Sequence, residues 1–227
     1  MVWAGVVSRH IINLTLHGIG EPRRPLEYRE DQVWLAEDML PVILDVLQGL
    51  SGYLITVDDG NESDVDILLP SLMQRGLKAT FFVPAGKIGG PGHLSRGGLT
   101  VLARAGMEIG THGMDHRDWR ALTEAELDVE IEGSKRVLEE IVGQRIVKAS
   151  CPYGSYDRRV LAHVKRAGLE RVYTSDRGHA NADTWIQPRS SLHATDTSET
   201  VRFLVTGTWP LHTRLVRKAK CLVKRWR

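Results

Sequence analysis

Short apolar runs of strand length alternate along this chain with amphipathic stretches of helix length. That rhythm narrows the possible architectures more than any other feature. Residues 11–17, 53–57, 80–83, 107–110, 146–149 and 171–174 read as strands, and 185–186 as a last short one. Helical patterns lie between them, over about 31–47, 63–75, 99–105, 123–142, 157–167 and 198–204. Pro41 should kink or divide the first of these helices. Ser63 is a candidate N-cap of the second. Thr123-Glu124-Ala125-Glu126 has the form of a capping box, and Gly143 suits the residue after that helix. The Gly-rich stretch 85–98 has the composition of a loop over an active site. Strands joined through helices must run mainly parallel. An α/β sheet, closed or nearly closed into a barrel, is expected, with an open doubly wound sheet as the competitor.

With 227 residues and 42% hydrophobic content, one core is the natural expectation. The division expected is a catalytic barrel over 1–208 and a basic helical appendage over 209–227. No apolar run is long enough to cross a membrane. Met1 to Val7 lacks a basic leader and a long apolar stretch, so it makes a poor secretion signal. Cys151 and Cys221 are too few for a disulfide framework. A cytoplasmic protein is the plain reading. The net charge of +2 hides an asymmetry. Residues 212–227 carry seven basic side chains and no acidic one, which leaves 23 basic against 28 acidic residues elsewhere. A charge confined to a tail speaks against nucleic acid as a partner. Leu211, Leu215, Ala219, Leu222 and Trp226 form one helical stripe within that tail. Two readings stay open: a helix packed on the barrel with its basic face in water, or a peripheral helix on the inner face of an anionic membrane.

Three short segments carry chemistry, each after a strand pattern. In Asp58-Asp59-Gly60 the adjacent carboxylates point to opposite sides, so one can hold a metal while the other stays free as a base; the plainer alternative is an Asp-Gly turn. His112 and His116, spaced i, i+4, share a face if their segment is helical. Two imidazoles and a carboxylate leave a divalent metal with open positions, as in a catalytic zinc site; a pair of surface histidines is the alternative. Pro152-Tyr153-Gly154 is good turn chemistry whose interest lies in its position. Cys151 has no adjoining basic group and reads as an inert thiol. His17 ends the first strand and belongs to the same rim. Trp185 and Arg189 lie near the last strand, where a Trp can stack on a sugar face.

On these residues the chain resembles the polysaccharide deacetylase family, carbohydrate esterase family 4. Thr56-Val57-Asp58-Asp59-Gly60 is similar to its Thr-Phe-Asp-Asp-Gly motif, and His112 to His116 to its His-Ser/Thr-x-x-His motif, with Gly113 in place of the hydroxyl residue. Pro152-Tyr153-Gly154 meets part of Arg-x-Pro-Tyr/Phe-Gly, with Ser150 where the Arg would stand. The resemblance implies a distorted (β/α) barrel of about seven strands and removal of N-acetyl groups from an amino-sugar-containing glycan, polysaccharide or glycolipid. It implies a divalent ion, Zn2+ or another such as Co2+, on Asp59, His112 and His116, and Asp58 as general base on the metal-held water. The oxyanion and substrate would meet Tyr153, Gly154, Trp185 and Arg189, and Arg189 could also fill the space of the missing Arg. Leu192-His193 and Leu211-His212 are poor matches to the family's late Leu-x-His motif. In the circularly permuted biofilm poly-N-acetylglucosamine deacetylases that His comes from an N-terminal strand, which assigns the general acid to His17. Two alternatives remain: a same-fold hydrolase of another non-peptide C–N bond, and a carbohydrate-binding protein without turnover.

Overall fold

The structure is a computed structural model that describes residues 10–208 and 210–226. The leader reading of Met1 to Val7 lies outside the described residues. Strand β1 (His10–Leu16) leads into a long loop, then α1 (Met39–Gln48) and β2 (Tyr53–Asp58). A π turn (Asp64–Leu68) runs into α2 (Leu69–Gln74), followed by β3 (Ala79–Val83), α3 (Arg96–Arg104) and β4 (Glu108–Thr111). Next come α4 (Glu124–Asp128), a second π turn (Val129–Gly133), α5 (Ser134–Val142), β5 (Lys148–Ser150), α6 (Arg158–Arg166) and β6 (Arg171–Thr174). The chain ends with β7 (His179–Asn181), β8 (Ile186–Ser191), α7 (Ser198–Thr206) and α8 (Leu211–Trp226).

The strands pair in the order β2-β3-β4-β5-β6-β8-β1, all parallel, and β1 pairs again with β2. The sheet is therefore a closed seven-stranded barrel rather than an open sheet. β7 lies antiparallel along the start of β1. Side chains alternate across each strand, and the inward set can be read from its contacts. Asn13 Nδ2 donates to Gln187 Oε1 at 3.2 Å, and the Thr15 and Thr56 hydroxyls lie 2.9 Å apart. Above them Phe82 packs on Tyr173, with ring centroids 4.9 Å apart, and beneath the Arg189 guanidinium. Gly110 faces that ring, where a Cβ would come within 2.5 Å of Phe82, so only glycine fits beside it. The outward set, including Ile55, Val57 and Phe81, is buried under the helices. At roughly 25 cal/mol per Å² of apolar surface this burial is the main stabilising term.

Several local expectations change in three dimensions. The first helix begins at Met39, not near residue 31. Pro41 therefore falls in the first turn, where its missing N–H would be unpaired anyway, and it does not kink the helix. Ser63 has helical dihedrals and does not cap; its hydroxyl accepts from the Ile19 backbone N–H at 3.2 Å. Thr123 and Glu126 do form a reciprocal capping box, and Gly143 adopts φ 69 after α5. The run 185–186 extends to Ser191, because β8 is the strand that closes the barrel.

Candidate active site

The C-terminal ends of β1, β2, β4, β5 and β8 meet at one mouth, the usual place for chemistry in parallel barrels. There the backbone leaves regular geometry. Asp59, His116 and Tyr153 have φ of 76, 57 and 56, and Gly60, Gly113 and Gly154 are left-handed as well. Such conformations cost non-glycine residues about 1–3 kcal/mol each and persist where surrounding structure holds them. The segment from His112 to His116 is thus a loop, not a helical turn as the i, i+4 spacing allowed. A buried carboxylate pins it: Glu130, on the second π turn, accepts from the N–H groups of Met114 and Asp115 at 3.0 Å each and from Trp119 Nε1 at 3.2 Å. Gly113 is needed beside that carboxylate, since a Cβ there would approach Glu130 to 2.3 Å.

Asp59, His112 and His116 converge, with one ligand atom from each lying within 4.8 Å of the others. Asp59 Oδ1 is 3.6 Å from His112 Nε2 and 3.5 Å from His116 Nε2. His112 Nδ1 lies 2.9 Å from the Ser150 carbonyl oxygen, and His116 Nδ1 lies 3.2 Å from Glu27 Oε2. Both rings are oriented through Nδ1, and both Nε2 atoms face Asp59. Burial pushes the His112 pKa down to about 4, so its imidazole is neutral near pH 7. This donor set, with ring nitrogens held by outer partners, fits a divalent metal.

Asp59 lies just beyond β2 with φ 76, so strand alternation does not separate its carboxylate from that of Asp58. Asp58, reaching into the barrel, brings its Oδ2 to 3.4 Å from His112 Nε2. Arg189 grips Asp58 with two parallel bonds, Nη1 to Oδ1 at 2.5 Å and Nη2 to Oδ2 at 2.7 Å, and also donates to Ser150 Oγ at 2.5 Å. Burial alone would raise the Asp58 pKa; the Arg189 charge and hydrogen bonds outweigh it and hold the carboxylate below its usual range. Arg189 is 2% exposed and meets Asp58 rather than solvent, which corrects its expected place among substrate contacts. Trp185 is corrected too. It precedes β8, so it sits at the opposite end of the barrel, its Nε1 donating to the Leu169 carbonyl oxygen at 2.9 Å. Half-buried His17 shares a cavity of about 150 Å³ with Asp58, Asp59, His112, His116 and Tyr153. Its Nδ1 is buried without a hydrogen-bond partner among the described residues. Cys151 lines the same cavity, but burial pushes its thiol up to about 12, which makes it a poor nucleophile.

Glu27, which sequence reasoning overlooked, joins the wall of the site. It accepts from the Tyr153 hydroxyl at 3.0 Å, pairs with Lys87 Nζ at 2.5 Å and contacts His116. The hydrogen bond to His116 and those from Lys87 depress its pKa, against the cost of burial. Its loop is held down by the buried Arg24–Glu30 pair and by Arg24 Nη2 donating to Asn61 Oδ1 at 2.8 Å. No local pattern singles out Glu27, since it lies in an irregular loop far from the motifs. Gly154 tolerates no side chain, as a Cβ would lie 2.5 Å from Ser175. Tyr153, at 62% exposure, stands at the rim with its ring 4.6 Å from that of His116.

The chain is similar to proteins already known. The family described as polysaccharide deacetylase matches residues 51–172. YxkH of Bacillus subtilis, whose name places it among polysaccharide deacetylases, is 30% identical over 130 residues, 57% of this chain and 47% of its own length. The chain thus spans less than half of that relative. Two solved structures share the fold. The Streptococcus pyogenes deacetylase PplD in complex with acetate superposes with TM-score 0.76 at 18% identity, covering 86% of this chain and 98% of that one. IcaB from Ammonifex degensii gives TM-score 0.69 at 21% identity, covering 86% and 96%.

Proposed function

Because the chain belongs to the polysaccharide deacetylase family, we propose that it is a metal-dependent hydrolase that removes N-acetyl groups from an amino sugar in a glycan, polysaccharide or glycolipid. One observation carries the reading: three side chains able to hold a metal, Asp59, His112 and His116, stand beside a buried ion-paired carboxylate, Asp58, in a cavity that His17 also lines. Bound to that triad, a divalent ion such as zinc would polarise the acetyl carbonyl and make water a nucleophile near neutral pH. The chain's own groups supply the rest. Asp58, kept ionised by Arg189, accepts the proton of the attacking water. The imidazole of His17 hands a proton to the departing sugar nitrogen, so the C–N bond breaks to an amine rather than an amide anion. The left-handed turn at Tyr153 offers its backbone N–H to the oxyanion.

Amide hydrolysis needs all three services, and each positioned proton transfer is typically worth about 10²–10⁴-fold. The test is acetate release from N-acetylglucosamine oligomers after dialysis against a chelator. Activity is expected to vanish and to return on adding Zn2+ or Co2+. His17→Ala should lower kcat by about 10²–10⁴-fold while metal content stays unchanged. Metal uptake without hydrolysis of any amide would make this a carbohydrate-binding protein. A His17 variant with near-normal turnover removes that residue from the chemistry.

A further inference from the structure

Helix α8 meets the barrel through its polar side. Thr213, Arg217, Cys221 and Lys224, spaced four, four and three, are the described positions half-buried against the body. Lys224 Nζ donates to Asp176 Oδ1 at 2.7 Å and to the Gly154 carbonyl oxygen at 3.5 Å, and lies 5.2 Å from the Tyr156 ring. The large apolar side chains point away. Leu211, Leu215, Val216, Leu222, Val223 and Trp226 are all exposed, Leu211 to 68% and Trp226 to 76%. At about 100° per residue these six fall in one sector of the helix. Exposed Lys220 borders it on one flank and exposed Arg225 on the other.

A helix that only packed on the barrel would bury that stripe; here the stripe is exposed, and it is Arg217 and Lys224 that lie on the half-buried side. A contiguous apolar patch on a folded surface marks a contact site, and charge selects the occupant. Residues 212–227 carry seven basic side chains and no acidic one. A second copy of the helix would set like charges against each other. An anionic lipid surface takes both features at once, the apolar stripe into the acyl boundary and the cations at the headgroups. No helix among the described residues is long and apolar enough to cross a membrane, so this one would lie on the surface. Its position on the molecule carries the argument further. Through Lys224 it touches Gly154, in the turn that walls the candidate site.

We propose that α8 is an interfacial anchor for an anionic lipid bilayer, and that it sets the mouth of the candidate site beside that surface to act on a glycan carried by a membrane lipid. The second half rests on the deacetylation proposed above; the first does not. The experiment is co-sedimentation of the full chain with vesicles of phosphatidylcholine alone and of phosphatidylcholine with phosphatidylglycerol. Binding is expected to be roughly tenfold or more tighter to the anionic vesicles and to weaken with salt. Leu215→Glu with Leu222→Glu should cut it by at least about tenfold while acetate release from a soluble oligomer is unchanged. Wild-type protein left in the supernatant with both vesicles overturns the anchor. So does a dimer that this double variant dissolves, with no vesicle binding. Vesicle binding without hydrolysis of any sugar leaves the anchor standing and removes the substrate. For the second half, an N-acetylglucosamine lipid in anionic vesicles should be hydrolysed faster than the soluble sugar, and the double variant should lose that advantage. Equal rates overturn it.

Discussion

At the scale of single residues, the most informative group is Arg189. A carboxylate as buried as Asp58, 3% exposed, cannot stay charged alone, because an isolated buried charge costs several kcal/mol. The family's motif would supply the balancing Arg at position 150, beside the Pro-Tyr-Gly turn; here that position is Ser150, and the charge arrives from β8 instead. Ser150 Oγ still touches both partners, 2.5 Å from Arg189 Nη2 and 3.5 Å from Asp58 Oδ2. Two sequence positions therefore serve one carboxylate. Arg189→Met should destabilise the protein by about 3–5 kcal/mol, since it strands the buried charge. Adding Ser150→Arg to Arg189→Ser should return most of that stability, read from denaturant midpoints. A swap no more stable than Arg189→Met would mean that only β8 can deliver the charge. Asp58 and Asp59 were legible as a functional pair. The expectation that strand alternation sends them to opposite sides fails, because Asp59 follows β2 with φ 76 and both carboxylates approach His112 Nε2, at 3.4 Å and 3.6 Å. Glu27 was not legible, because its place beside His116 comes from a loop held down by the Arg24–Glu30 pair and closed by Lys87, far away in sequence.

At the scale of elements, periodicity located the strands and most helices but not what happens inside them. The long helical pattern 123–142 contains a π turn at Val129–Gly133 that places Glu130 under the histidine loop. Such turns gather at functional sites, and hydrophobic spacing cannot reveal one extra residue per turn. The tail was legible as an amphipathic helix, yet its stripe could equally face the barrel or solvent. Asp176 decided that. Its carboxylate accepts from the Tyr156 hydroxyl at 2.6 Å, from Thr174 Oγ1 at 2.9 Å and from Lys224, so a polar clamp holds the helix. Burial opposes its ionisation, but these hydrogen bonds and the Lys224 charge depress the pKa. Asp176→Asn should loosen α8 while leaving barrel melting nearly unchanged. Limited trypsin digestion is the measurement: cleavage within 211–226 should quicken several-fold, and unchanged cleavage would place the attachment elsewhere.

At the scale of the whole molecule, the barrel concentrates its titrating groups at one end, and the acid response of the metal-stripped protein follows. Burial depresses His112 to about 4 in the folded state, against about 6.5 when unfolded. The unfolded chain thus binds more protons across that window, and stability falls as pH drops from about 6.5 to about 4. Asp58, Glu27 and Asp176 are depressed carboxylates, so their contribution holds above about 4 and drains away below it. His116, raised by Glu27 against its burial, works the other way and loses its contribution as pH rises through its folded value. The melting temperature should decline in two stages on acidification, and His112→Gln should flatten the upper one. A level profile between pH 7 and 4 would overturn the assignment. The sequence alone determined the alternation of strand and helix, the parallel sheet and the residue types able to hold a metal, because those follow from rules that act over a few residues. Closure of the barrel, the arrival of Arg189 at Asp58, the bracing of His116 by Glu27 and the outward turn of the α8 stripe were decided by the tertiary structure. Each joins residues that chain spacing leaves independent, and only closing the sheet sets their distance.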